Sequence, residues 1–164
     1  KAAPVSGFFL LHATAKAAGG DMLYPDQMKY VYHMQNSSGG VNANCAAAMA
    51  ATPVEAWRCI FANYSYAHTA APIFPINSAI DAWQMGNILH TKCVPTPTHA
   101  CDAPTNASLL LYRNAFVKSI TTWMSSPLSQ KQNGVFLDGC VSPLVSCDLG
   151  YFMTEYLSIL MLLL

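Results

Sequence analysis

Six cysteines constrain this chain more than any other feature. Cys45, Cys59, Cys93, Cys101, Cys140 and Cys147 fall along it as three successive near pairs. None belongs to a Cys-x-x-Cys pair, so the usual zinc-ligand spacing is missing. Six cysteines allow fifteen connectivities, and the sequential one is the simplest. Each bond of that pattern would stabilise by roughly 2–3 kcal/mol by restricting the unfolded chain. The alternative is six buried free thiols in a cytosolic protein. Three glycosylation sequons decide between them: Asn36-Ser37-Ser38, Asn63-Tyr64-Ser65 and Asn106-Ala107-Ser108. One such triplet is chance, but three beside an even cysteine count predict a secretory route and an oxidising compartment.

Over 164 residues the chain is 53% hydrophobic, only 10% charged, and formally neutral. That balance is opposite to a disordered chain's and predicts one domain with a sizeable core. Without a basic block, nucleic acid is excluded as a partner class. So little charge also predicts that part of the surface is covered by sugar, a partner or further chain. Residues 8–15, "FFLLHATA", read as a strand rather than the end of a signal peptide. The closing "YLSILMLLL", with Tyr151–Glu155 before it, falls short of the roughly twenty apolar residues a spanning helix needs. It reads as a core helix, or as a tail lacking its continuation.

Strands are expected at 4–12, 71–78 and 133–140. Between them, "DMLYPDQMKYVYHMQ" carries Met22, Met28, Val31 and Met34 at helical spacing, with Asp21 as N-cap. "CAAAMAATPVEAWRC" reads as a short helix broken at Pro53. "DAWQMGNILH" is a helix opening near Asp81, and "TKCVPTPTHACDAPTN" a proline-rich loop. The longest helix is expected over 107–126, its buried face made by Leu109, Leu110, Tyr112, Phe116, Ile120 and Trp123. Alternating strands and helices predict an α/β domain with a mostly parallel sheet and flanking helices. Three strands are too few to bury both faces of such a sheet.

"IFPINSAIDAWQ" (73–84) places Asn77, Ser78, Asp81 and Gln84 where a strand runs out. In open α/β sheets, sites lie beyond the carboxyl ends of strands. A hydrolase acid belongs there, positioned to orient a histidine; the plain alternative is a helix N-cap. No Gly-x-Ser-x-Gly elbow occurs. Ser38, in "NSSGG", precedes two glycines but follows a helical pattern rather than a strand. Of the histidines at 12, 33, 68, 90 and 99, chain order leaves only His90 and His99 as a base after Asp81. His90 is too near in sequence and His99 lies in a cystine-closed loop. No ligand cluster suggests a metal.

Beyond these patterns, "PIFPINSAIDAWQMGNIL" resembles the segment of the pectin acetylesterase family that carries its catalytic acid. "SGFFLLH", "CAAAMAATPVEAWRCIFANY", the Cys93–Cys101 loop and "NGVFLDGC" are similar to other family segments, in the family's order. The resemblance spans roughly 4–140 and includes the Notum-type branch of the family. It implies a partial α/β-hydrolase-like fold, with Asp81 as the triad acid in carboxylic ester hydrolysis through an acyl-serine. The substrate implied is acetylated cell-wall polysaccharide, or a fatty-acylated protein, with no metal or organic cofactor. The family's serine elbow precedes the Gly-Phe-Phe strand, so it is expected upstream of Lys1, leaving residues 1–164 as the C-terminal part of one domain. Its histidine lies between the last two cysteines, where this chain has "GCVSPLVSC", with Pro143 or Ser146 at that position. The tail over 141–164 diverges from the family. Acyl transfer therefore lacks both nucleophile and proton acceptor in this chain. The second expectation is a non-catalytic structural or interaction subunit, bound to a protein partner through the apolar tail. A third is membrane association through Tyr151–Leu164.

Overall fold

The computed structural model describes residues 1–12, 23–95, 99–127 and 133–139, and the backbone of 162–163. Five α-helices are described: α1 (Tyr24–Met34), α2 (Ala43–Ala48), α3 (Ala62–Ser65), α4 (Ala82–Asn87) and α5 (Ala103–Met124). Strands β1 (Ile76–Ser78), β2 (Gly134–Asp138) and β3 (Leu162–Leu163) form one sheet in the order β1-β2-β3. β1 and β2 pair in parallel, with Ile76 opposite Phe136 and Ser78 opposite Asp138; β3 joins β2 antiparallel. The fold class is α/β, with β1–β2 as its parallel pair.

The sheet gains a further edge at the start of the chain. Ala2 and Val5 bridge in parallel to Ile73 and Ile76. The Ala2 amide donates to the Pro72 carbonyl, Phe74 donates to Ala2, Ile76 to Pro4, and Ser6 to Ile76. Pro4, which has no N–H, leaves one bond out of this ladder. A strand over 4–12 is therefore only half realised: pairing begins earlier and stops at Ser6. Ser6 takes a left-handed φ of 52°, which turns the chain off the ladder.

α1 opens at Tyr24 with Pro25 in its first turn rather than at Asp21, which lies outside the described residues. The helix over 45–59 breaks at Pro53 as expected. Its first part, α2, is capped by Asn42, whose side chain accepts from the Cys45 amide, and its second is a 3-10 helix over Pro53–Ile60. α5 begins four residues before the expected 107. The Asp102 carboxylate caps the Thr105 amide at 2.9 Å, and Pro104 occupies the first turn, where a missing N–H costs nothing. Leu110 departs from the expected buried face: it is 49% exposed, one position round the helix from buried Leu109. Leu162–Leu163 is strand, where the tail reads as helix.

Phe8, fully buried, centres the core, its ring edge-on to Tyr66 at 5.3 Å and to Phe116 at 5.1 Å. Tyr112, Phe116, Ile120 and Trp123 of α5 share its core cluster with Val135 and Leu137 of β2. Cystines link Cys45 to Cys59 and Cys93 to Cys101, two of the three sequential pairs. Cys140 and Cys147 lie outside the described residues, as do Pro143 and Ser146. Among the described residues no helix is long and apolar enough to cross a membrane.

Candidate functional site

Asp81 stands three residues past the carboxyl end of β1 and is buried. It is the N-cap of α4, and Oδ1 accepts the Gln84 amide at 2.9 Å. An aspartate that frees its backbone from the helix while satisfying an orphan N–H is what local physics selects here. Burial raises the Asp81 carboxyl above its ordinary range, against the pull of the Gln84 and Trp83 amides. The capped carboxylate lies buried just past the carboxyl end of a parallel strand, an arrangement able to hold and charge-stabilise an imidazole.

The polar residues around it have a second task. Fully buried Asn77 accepts the Phe8 amide at 3.0 Å, and Gln84 Nε2 donates to the Phe8 carbonyl at 3.1 Å. The Tyr112 hydroxyl donates to Gln84 Oε1, closing the chain of bonds. A third carboxamide, Asn63, accepts the Leu11 amide at 3.2 Å. Where residues 8–11 leave the ladder, side-chain amides replace a neighbouring strand, because buried backbone polar groups must be paired. Burial, then the Asp81 carboxylate and Tyr24, push the Tyr112 phenol well above its usual range.

His12 completes the surroundings: its ring meets Tyr112 edge-on at 5.1 Å, and burial lowers its pKa. Chain order hides this histidine, and helical periodicity reads Tyr112 as plain core. Only the pairing of 2–6 with β1 brings His12 to this region. Ser38 sits in an exposed 3-10 turn after α1, not after a strand. His90, with a left-handed φ of 54°, lies beyond the far end of α4, and His99 is exposed. Neither is hydrogen-bonded to Asp81 among the described contacts. No three His, Cys, Asp or Glu converge to hold a metal among the described residues.

Of the sequons, Asn36 is exposed at a left-handed turn, φ 48°. Asn63 is half-buried against Leu11, and Asn106 Nδ2 donates to the Cys101 carbonyl at 2.9 Å. A groove of about 920 Å³ lies at the other end of β1 from Asp81, between α1 and the start of the chain.

Comparison with known families places a match over residues 1–158, to the model described as pectinacetylesterase. No curated protein matches the chain.

Proposed function

This chain belongs to the pectinacetylesterase family, and from that premise we propose that it carries the triad acid of a carboxylic ester hydrolase at Asp81. In the reaction so proposed, Asp81 accepts a hydrogen bond from a histidine ring and stabilises the imidazolium formed as a serine hydroxyl is deprotonated. The serine attacks the acyl carbon, the alcohol leaves with the proton from the imidazolium, and water cleaves the acyl-serine. The substrate proposed is acetylated cell-wall polysaccharide.

The observation that carries this reading is the placement of a buried, capped carboxylate just past the carboxyl end of a parallel strand. The nucleophile and the imidazole are the missing parts. No serine elbow occurs in the sequence, and no described histidine bonds to Asp81. The chain is accordingly read as a fragment or degenerate member, whose serine elbow would stand upstream of Lys1 in a longer parent. Cystines and exposed Asn36 support a secreted, glycosylated protein.

The test is an ester assay of the purified chain on 4-nitrophenyl acetate and on acetylated pectin. The expected outcome is release no faster than the buffer background, since loss of either serine or histidine removes nearly all of a triad's contribution. Turnover that Asp81→Ala abolishes would overturn the inactivity while keeping the assignment of Asp81. Turnover that Asp81→Ala leaves unchanged would refute the assignment.

A further inference from the structure

The three sequons differ in what the fold asks of their carboxamides. Asn63 Oδ1 accepts the Leu11 amide, and the neighbouring Ala62 amide donates to the Phe9 carbonyl, so half-buried Asn63 is held against residues 9–11. Asn106 Nδ2 donates to the Cys101 carbonyl at the start of α5. Asn36 is exposed, and its carboxamide makes no hydrogen bond among the described contacts. Its φ of 48° is left-handed, a conformation asparagine tolerates, and its amide donates to the His33 carbonyl at 3.2 Å. Asn36 therefore stays against the last turn of α1. That end of the helix is apolar on its outer face. Tyr30 and Met34 stand one turn apart, 58% and 54% exposed, with exposed Val31 beside them. No Asp, Glu, Lys or Arg occurs between Tyr30 and Val41. Adjacent exposed apolar side chains mark a surface that something covers.

We propose that the mature protein carries an N-linked glycan at Asn36 and none at Asn63, and that the first sugars of this glycan lie over Tyr30 and Met34. The inference rests on the secretion proposed above and not on Asp81. The bond forms between Asn36 Nδ2, which gives up one proton, and the anomeric carbon of a lipid-linked oligosaccharide, whose diphosphate leaves. Asn36 lies two residues past Met34 and, at 1.5 Å per residue, about 9 Å along the helix from Tyr30. The C–H faces of a pyranose ring suit an aromatic and a thioether side chain, while its hydroxyls face water. The glycan thus lends a hydrated surface to a chain that is only 10% charged. Transfer precedes folding, so Asn63 is also an acceptor in the unfolded chain. A chain modified there must fit a sugar where Asn63 is held against residues 9–11, and that is the form the fold rejects.

The test uses the full chain secreted from eukaryotic cells behind a cleavable leader. Enzymatic release of the glycans in heavy-oxygen water converts each modified asparagine to a labelled aspartate, read by peptide mass. The expected result is label at Asn36 and none at Asn63. Ser38→Ala destroys the acceptor pattern but keeps Asn36 and its left-handed turn. Binding of an apolar fluorescent dye, anilinonaphthalene sulfonate, is expected to rise about twofold in that variant. It is expected to fall back when Tyr30→Ser and Met34→Ser are added. Ser38→Thr keeps the acceptor pattern and is expected to match the native chain. A bare Asn36 in the secreted chain overturns the proposal. So does label at Asn63, dye binding that Ser38→Ala leaves unchanged, or a rise that survives the changes at Tyr30 and Met34. Ester turnover enters none of these readouts, so failure here leaves the assignment of Asp81 standing, and the reverse holds.

Discussion

At Asp81 two demands on one side chain pull in opposite directions. As an N-cap it contributes about 1 kcal/mol through the Gln84 amide. As a buried acid with a raised pKa it opposes folding once ionised. The sign follows from linkage: a group whose folded pKa exceeds its unfolded value stabilises below the unfolded pKa, and that contribution is lost as pH rises through the folded pKa. Asp81→Asn keeps an amide-accepting oxygen and removes the titration. The variant is expected to gain stability relative to the native chain as pH rises from 4 to 7, and no such gain is expected below the unfolded pKa of about 3.9. Urea midpoints at several pH values check this; a difference independent of pH would count against it. Gln84 behaves differently. Gln84→Leu strands the Phe8 carbonyl and the Tyr112 hydroxyl in a dry core, and is expected to cost about 2–4 kcal/mol in the same assay. The polar run from Asn77 to Gln84 was visible in the sequence, but not its purpose. The backbone those carboxamides hold is 69 and 76 residues away, and local pattern carries nothing about partners at that distance.

Elements were legible where local chemistry alone decides them. The break at Pro53, the α4 cap at Asp81 and the buried stripe of α5 from Leu109 to Trp123 all follow from propensity and period. The start of α5 was missed because prolines around Cys101 read as loop. Pro104 stands in the first turn, the one helical place that suits it. The strand over 4–12 was overextended because apolar residues beyond Ser6 read as ladder. They pack into the core instead, where the backbone of Phe8 and Leu11 bonds to side-chain amides and the Phe9 carbonyl accepts from the Ala62 amide. The site was less legible than the elements: His12 and Tyr112 adjoin it only through tertiary packing. Two cystines staple short segments. Cys45–Cys59, 14 residues apart, should contribute about 3 kcal/mol, and Cys93–Cys101, 8 apart, about 2.5 kcal/mol, on the chain-entropy account. Replacing each pair with serines separately should therefore lower stability in that order, as read from denaturant midpoints under oxidising conditions.

Across the whole molecule, the first dozen residues bind the rest together. They complete a sheet edge at one side and send Phe8 into the centre, where helices α4 and α5 and the turn around Tyr66 meet it. A residue so placed contributes through dispersion and area, and also through the two backbone bonds that fix its position. Phe8→Ala opens a cavity that aromatic rings on two sides cannot readily collapse into, and is expected to cost about 3–5 kcal/mol. For a domain whose total stability is of order 5–15 kcal/mol, that is enough to populate unfolded chain. Leu111→Ala removes a side chain of similar hydrophobicity that is 68% exposed, and should fall within about 0.5 kcal/mol of the native chain. Measured side by side by urea unfolding, the two substitutions separate burial from hydrophobicity. If Phe8→Ala proved no more costly than Leu111→Ala, the opening segment would be an appendage to the fold. The placement of His12 beside Tyr112 would then lose its support.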